Sequence, residues 1–475
     1  MRMLALLAAV VAVVQGAAGA PGATVTSRAK GNRTSMALTV YNENLGLVRE
    51  TRKLSLPSGV TEVRFTDVAA QIDPRTVHVK SLSGPGSMDV LEQNYEYDLI
   101  SPDKLMERFL GREVTLVFEP QGAPGSQPRE EKATLVSTNA GLVYEINGRY
   151  HINPPARPVL PELPGGLISS PTLVWLVTGG AGGANEVEAT YLTGGLSWSA
   201  DYVGLVGADD ARMDLSGWVT MDNTSGATYE DARLKLVAGD VHRAAPPTPD
   251  VMQRLQVAAA EGAFQEEAFF EYHLYTLERP ATLKDRQTKQ ISLMEAAGVP
   301  VQKIYLLAGQ PHYYRDKQGV LGTGMKVAVN LELANTAKNG LGLPLPRGIV
   351  RLYKEDAGKS LQFIGEDRIE HTAKDEKITL RVGDAFDVVA DRTQVDFRAV
   401  SAGRYDAEVE IRIAIRNHKE EEVKVTVREP VPGDWKVLSG SHPHTKPDSH
   451  TLEFLVPVPA GGEAILAYRV AVDWG

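Results

Sequence analysis

The sequence predicts a mainly β protein of antiparallel sheets and sandwiches, with one short helix in the N-terminal region and an immunoglobulin-like C-terminal module. Three observations carry this expectation. Apolar residues recur at every second position in several segments, most clearly in Lys326–Ala334 and Ala407–Arg416, and a period of two is that of a strand with one buried face. Turn residues such as Asn44, Gly46, Pro57 and Gly59 separate the segments at hairpin spacing. Parallel neighbours would need crossovers of a dozen or more residues, usually helical, and no such helices are visible.

Taken in order, Met1 to Ala20 has Arg2, an apolar run from Leu4 to Val14 and a small-residue end at Gly16 to Ala20. That order is a secretory leader, with the cut expected between Ala18 and Ala23. The apolar run is shorter than the roughly 20 residues a membrane span requires. The expectation is an exported chain of the periplasm or cell surface, with no integral membrane segment in the mature chain.

An N-terminal β domain is expected over 24–165, with strands at Met36–Tyr41, Leu47–Leu56, Val60–Phe65 and Val77–Leu82. It holds the one well-signalled helix: Ser101 as N-cap, Pro102 in the first turn, Leu105, Met106, Phe109 and Leu110 on one face, and Gly111 as the stop. Asn147-Gly148 is the pair best suited to a type I′ turn and predicts a hairpin between Leu142–Ile146 and Arg149–Ile152. Six prolines between Asn153 and Pro171 predict an unpaired, extended crossing and a soft domain boundary. A central β domain follows over 172–394. Thr172–Thr178 and Glu186–Thr193 look like a hairpin, further strands are expected at Met213–Met221, Arg233–Val241 and Lys326–Ala334, and the sheet continues through Ile349 and Phe363. Its segment 244–270, rich in proline, alanine and acids, predicts a mobile, partly helical, exposed insert. The C-terminal module, 395–475, alternates at Ala407–Arg416 and again at Val423–Val427, with further strands at Trp435–Leu438, Thr451–Val458 and Ala464–Val472.

With 475 residues and 43% hydrophobic content the chain can bury a large core without staples. It has no cysteine, which excludes disulfides, thiolate metal sites, thiol catalysis and a lipid-modified N-terminal cysteine. It carries 50 basic and 60 acidic residues; without Arg2 the balance is 49 to 60, a net charge of −11. With no basic block, a nucleic-acid partner is disfavoured.

The richest chemical constellation lies between Tyr191 and Asp240. Trp198, Tyr202 and Trp218 stand close in sequence to Asp201, Asp222, Asn223, Glu230, Asp231 and Asp240. Aromatic platforms beside carboxylates suit sugar rings, which stack through apolar faces and donate from hydroxyls, so Trp198, Asp201, Tyr202, Trp218, Asp222, Asn223 and Asp231 are candidate ligand contacts. The plainer alternative is that the aromatics fill the core while the acids make turns. A hydrolase would use two of the carboxylates as acid and base, and their separation would decide it. A second cluster, His442, His444 and His450 with Asp434 and Asp448, has metal-ligand chemistry but the sequence of an exposed loop. Asp222 to Gly226 begins like a calcium loop but has Arg233 where the twelfth-position Glu belongs. No cofactor, metal or catalytic residue is assigned.

Several strings are similar to the bacterial family named domain of unknown function 4139, relatives of the mucoidy inhibitor A proteins. They include Tyr191-Leu-Thr-Gly-Gly-Leu-Ser-Trp198, Leu215-Ser-Gly-Trp218, Leu236-Val-Ala-Gly-Asp240, Phe270-Glu-Tyr-His-Leu-Tyr275, Arg416-Asn-His418 and Pro432-Gly-Asp-Trp435. The resemblance implies some influence on exopolysaccharide or the envelope. The chain lacks the long heptad segment of the mucoidy branch, so no coiled-coil role is implied. The leading expectation is a non-catalytic binding or structural role toward an envelope protein or glycan, and the alternative is a hydrolase acting on envelope glycan or peptide. Oligomeric state is left open.

Overall fold

The computed structural model describes residues 22–84, 86–119, 127–179, 182–239, 264–269, 272–400 and 406–474. The predicted leader, Asp240 and most of the predicted insert lie outside them. The fold is mainly β, as the alternation predicts. Among the described residues the strands form sheets of four, five, eight, five and nine.

Two local predictions hold closely. A helix spans Pro102–Arg108, with the Ser101 hydroxyl accepting from the Lys104 N–H at 3.2 Å, and Met106 and Phe109 pack against Leu116, Leu135 and Tyr144. Asn147 and Gly148 have φ of 51° and 73°, the two positive angles of a type I′ turn, and Arg149–Ile152 pairs back on Val143–Ile146.

Three expectations change. The sheets are mainly antiparallel, as expected, but four of the five described carry one parallel pair each: Ala23–Ser27 runs parallel to Gly59–Thr66, Arg33–Tyr41 to Tyr229–Ala238, Leu196–Val206 to Gly348–Glu355, and Gln302–Ala308 to Val423–Pro430. The crossovers exist, but they are made of other strands rather than helices. The proline-rich crossing is not wholly unpaired, because Ala156–Val159 pairs with Glu113–Phe118 and places Pro158 opposite Leu116. That strand ends its sheet, where a missing N–H is tolerated. Thr172–Gly179 and Gly183–Thr193 are not a hairpin; the first lies between Gly59–Thr66 and Met88–Glu96, the second pairs with Gly46–Leu56 and His78–Ser81 in another sheet. Within the predicted insert, Phe264–Phe269 is a strand paired with Tyr272–Leu277.

The largest core unites strands from before and after the proline-rich crossing: Val63, Phe65 and Trp175 share it with Trp198, Tyr202, Leu236 and Leu352. A second core fills the nine-stranded sheet around Ile411, Ile413, Val425, Phe454 and Tyr468. Two long strands, Val320–Ala334 and Lys377–Ala399, pair with each other through both cores. Leu331, Leu333, Ile378 and Leu380 belong to the first core, while Val327, Val388 and Ala390 belong to the second.

Candidate functional site

Five of the seven candidate residues lie on neighbouring strands of one sheet. Leu196–Val206 pairs with Arg212–Asn223 on one side and Gly348–Glu355 on the other, and Gln287–Pro300 and Leu361–Ile369 complete the five. A sixth, Asn223, ends Arg212–Asn223. Strand parity divides them by face.

Trp198 and Tyr202 share parity with Leu196 and Ala200 and are buried. The Trp198 indole N–H donates to the Val237 carbonyl at 3.1 Å and its ring meets Tyr275 edge-on at 6.2 Å, joining this sheet to the eight-stranded one. The Tyr202 hydroxyl donates to the Pro346 carbonyl at 2.8 Å, and burial holds the phenol well above its ordinary pKa. Asn223 is also buried. Its amide donates to the carbonyls of Ala227, Leu283 and Lys284 at 2.9, 3.3 and 2.9 Å, and its oxygen accepts from the Ser225 N–H and hydroxyl. These three are structural.

Asp201, Trp218 and Asp222 point to the opposite, open face. Trp218 is 39% exposed and stands opposite Asp201. Asp201 is held by partners on both sides: Oδ2 accepts from the Thr220 hydroxyl at 2.7 Å and Oδ1 from Arg351 Nη1 at 3.0 Å. Arg351 Nε lies 3.4 Å from Glu366 Oε2, and the Gln290 amide donates to Thr220 Oγ1 at 3.1 Å. The result is a relay, Gln290–Thr220–Asp201–Arg351–Glu366, with one residue from each of the five strands. Asp222 accepts from the Thr288 hydroxyl at 2.5 Å. Asp231 is elsewhere, on the strand Tyr229–Ala238 of the eight-stranded sheet, with φ 47° and its N–H on Thr282 Oγ1.

The open face therefore collects Asp201, Trp218 and Asp222 but not the other four. Asp222 stands opposite Ser197, four residues from Asp201, which separates the two acids by about 13 Å along the strand. That is wider than the roughly 5–9.5 Å of paired glycosidase carboxylates. Arg351, Glu366, Thr220 and Gln290 are the members that sequence reasoning missed. The alternation around Arg351 was the available signal, but nothing local marks it as the neighbour of Asp201.

The histidine cluster does not converge. His442 Nδ1 is 2.9 Å from the Ser441 hydroxyl, His444 lies beside the Phe454 ring, and the His450 N–H donates to Asp448. Among the described residues no three His, Cys, Asp or Glu side chains come together as a metal set, and no helix is long and apolar enough to cross a membrane.

No curated protein matches the chain. Residues 187–475, which include every strand of the five-stranded sheet, match the family described as domain of unknown function (DUF4139), and the chain belongs to that family.

Proposed function

We propose that the chain is an exported envelope protein that binds another envelope component, protein or glycan, on the outer face of the five-stranded sheet, without turning it over. The observation that carries this reading is the relay through Asp201. Both oxygens of this carboxylate are engaged by neighbouring side chains, so the face is ordered before any ligand arrives, which lowers the entropic cost of binding. The flanking Trp218 supplies a large, half-exposed apolar surface of the kind that anchors ligands. Glu366 shares the Arg351 guanidinium with Asp201, so the two carboxylates are committed to that cation rather than left as an acid and base for the turnover of a substrate.

Co-sedimentation of the purified mature protein with isolated bacterial envelopes tests the proposal. Wild type is expected in the pellet, Arg351→Ala in the supernatant, and no envelope fragment should be released on prolonged incubation. Release of soluble fragments that stops in Asp201→Asn would replace binding with hydrolysis. Export is tested separately by fractionation and N-terminal sequencing, with the mature chain beginning between residues 19 and 24.

A further inference from the structure

Resting on the reading of this face as the working surface, we infer that its ligand is an uncharged polysaccharide lying diagonally across the strands. Register places two parallel lines on the face. One is the relay Gln290–Thr220–Asp201–Arg351–Glu366. The other is apolar: Trp218 precedes Thr220 by two residues, Val203 follows Asp201 by two, Tyr353 follows Arg351 by two, and Phe363 stands opposite Tyr353. Two residues along a strand is about 7 Å, and three strand spacings with four residues of advance make the apolar line about 20 Å long. Trp218, Val203 and Phe363 are 39%, 37% and 55% exposed, and the Tyr353 and Phe363 rings meet edge-on at 5.6 Å.

A pyranose ring has an apolar C–H face and a rim of hydroxyls. Laid along the apolar line, a chain of several rings puts apolar faces over Trp218 at one end and over the edge-on Tyr353–Phe363 pair at the other, with its rims toward the relay. There Asp201, Glu366 and Thr220 accept, while Gln290 and Arg351 donate. A polyanion is disfavoured because Asp201, Asp214, Asp222, Glu295, Glu355 and Glu366 face outward against Arg212, Arg351 and Arg368. A peptide would seek side-chain pockets or a free strand edge. Beside the stripe, the face offers a shallow depression lined by Leu205, Arg212, Asp214 and Glu355.

The test is an array of neutral hexose oligosaccharides of four to eight rings in gluco, galacto and manno series, uronic-acid oligosaccharides of the same length, and peptidoglycan stem peptides, probed with the full mature chain. Hits are titrated by isothermal calorimetry, whose signal does not depend on Trp218. Binding of one or more neutral series is expected, weakened at least tenfold in both Trp218→Ala and Phe363→Ala. It should be unchanged in Val395→Ala, an exposed apolar site on the nine-stranded sheet. Circular dichroism checks each fold, and with Phe363 more exposed than Trp218, that variant keeps the test intact if Trp218→Ala misfolds. Binding of uronates or peptides in preference to neutral sugars, binding that survives both substitutions, or a blank array overturns the inference. Envelope co-sedimentation with a blank array removes the glycan alone, whereas loss of both removes the binding function with it.

Discussion

Arg392 Nη2 lies 2.9 Å from Glu429 Oε1 in the core of the nine-stranded sheet, with both side chains fully buried. The contact is an ion pair with poor hydrogen-bond alignment, since neither atom has a well-directed hydrogen-bond partner. The Tyr314 hydroxyl donates to Glu429 Oε2 at 3.0 Å and is 2.8 Å from the Tyr468 hydroxyl, while Arg392 Nη1 donates to the Ala308 carbonyl. Burial pushes the Glu429 carboxyl above the usual range, and Arg392 and the two tyrosines oppose that rise. Removing one ion from such a pair strands the other, which costs about 3–5 kcal/mol. Arg392→Met should therefore lose about that much in urea unfolding, and Arg392→Met with Glu429→Gln should lose clearly less. Equal losses in the single and double variants would mean that the charge pairing is irrelevant to stability.

Asp391, the neighbour of Arg392, faces the other way and gives the acid limb of the stability profile. The Arg416 guanidinium grips both its oxygens, at 2.5 and 3.1 Å, and the Gly324 N–H adds a bond at 2.7 Å. Together they lower its pKa to about 2. A depressed carboxylate contributes stability above its unfolded pKa, near 3.9, and loses it as pH falls toward the folded value. Asp391→Asn should flatten the decline of Tm between about pH 4 and 2. Glu429 has the opposite sign: its raised pKa gives a contribution that is full below the ordinary carboxylate range and is lost as pH rises through the folded value. A Tm profile of Asp391→Asn that parallels wild type across the acid limb would refute the assignment.

Asn223, a candidate ligand contact by sequence, instead ties the turn after its strand to the segment Leu283–Lys284 through five hydrogen bonds. Each such bond is worth about 1 kcal/mol net, and partners left buried without one add to the loss. Asn223→Ala should destabilise by roughly 2–4 kcal/mol while leaving envelope binding by the folded fraction unchanged. Loss of binding with stability intact would return Asn223 to the site.

Much of this was readable from parity and turn chemistry, and the rest was not for a definable reason. Asn147-Gly148 and Ser101-Pro102 act through their own backbone, so local residues suffice to predict them. Trp198, Ala200 and Tyr202 share the parity of Leu196, while Trp218, Thr220 and Asp222 oppose that of Met213, Leu215, Val219 and Met221. Alternation thus separates the inward tryptophan from the outward one. Which strand lies alongside is a different matter. Asp201 and Arg351 are 150 residues apart, brought together by a parallel pairing that leaves no local trace, and Arg392 meets Glu429 although their strands, Lys377–Ala399 and Val423–Pro430, are not even neighbours in their sheet. Such pairings are set by which apolar faces must be covered together, a property of the whole core rather than of any segment.

The two tryptophans provide the sharpest check of that parity. Trp198 is buried against Tyr275 with its N–H on Val237, whereas Trp218 stands 39% exposed on the opposite side of the same sheet. Replacing a buried tryptophan by alanine leaves a cavity and an orphaned carbonyl and costs about 3–5 kcal/mol. A half-exposed one loses only part of its burial, so Trp218→Ala should cost roughly 1 kcal/mol or less. Urea unfolding of the two variants measures both numbers. The ligand dependence should run in reverse, with envelope binding abolished in Trp218→Ala and retained by the folded fraction of Trp198→Phe. A large stability loss at Trp218 with none at Trp198 would mean that the two faces of the sheet have been exchanged, and the relay through Asp201 would then lie in the core.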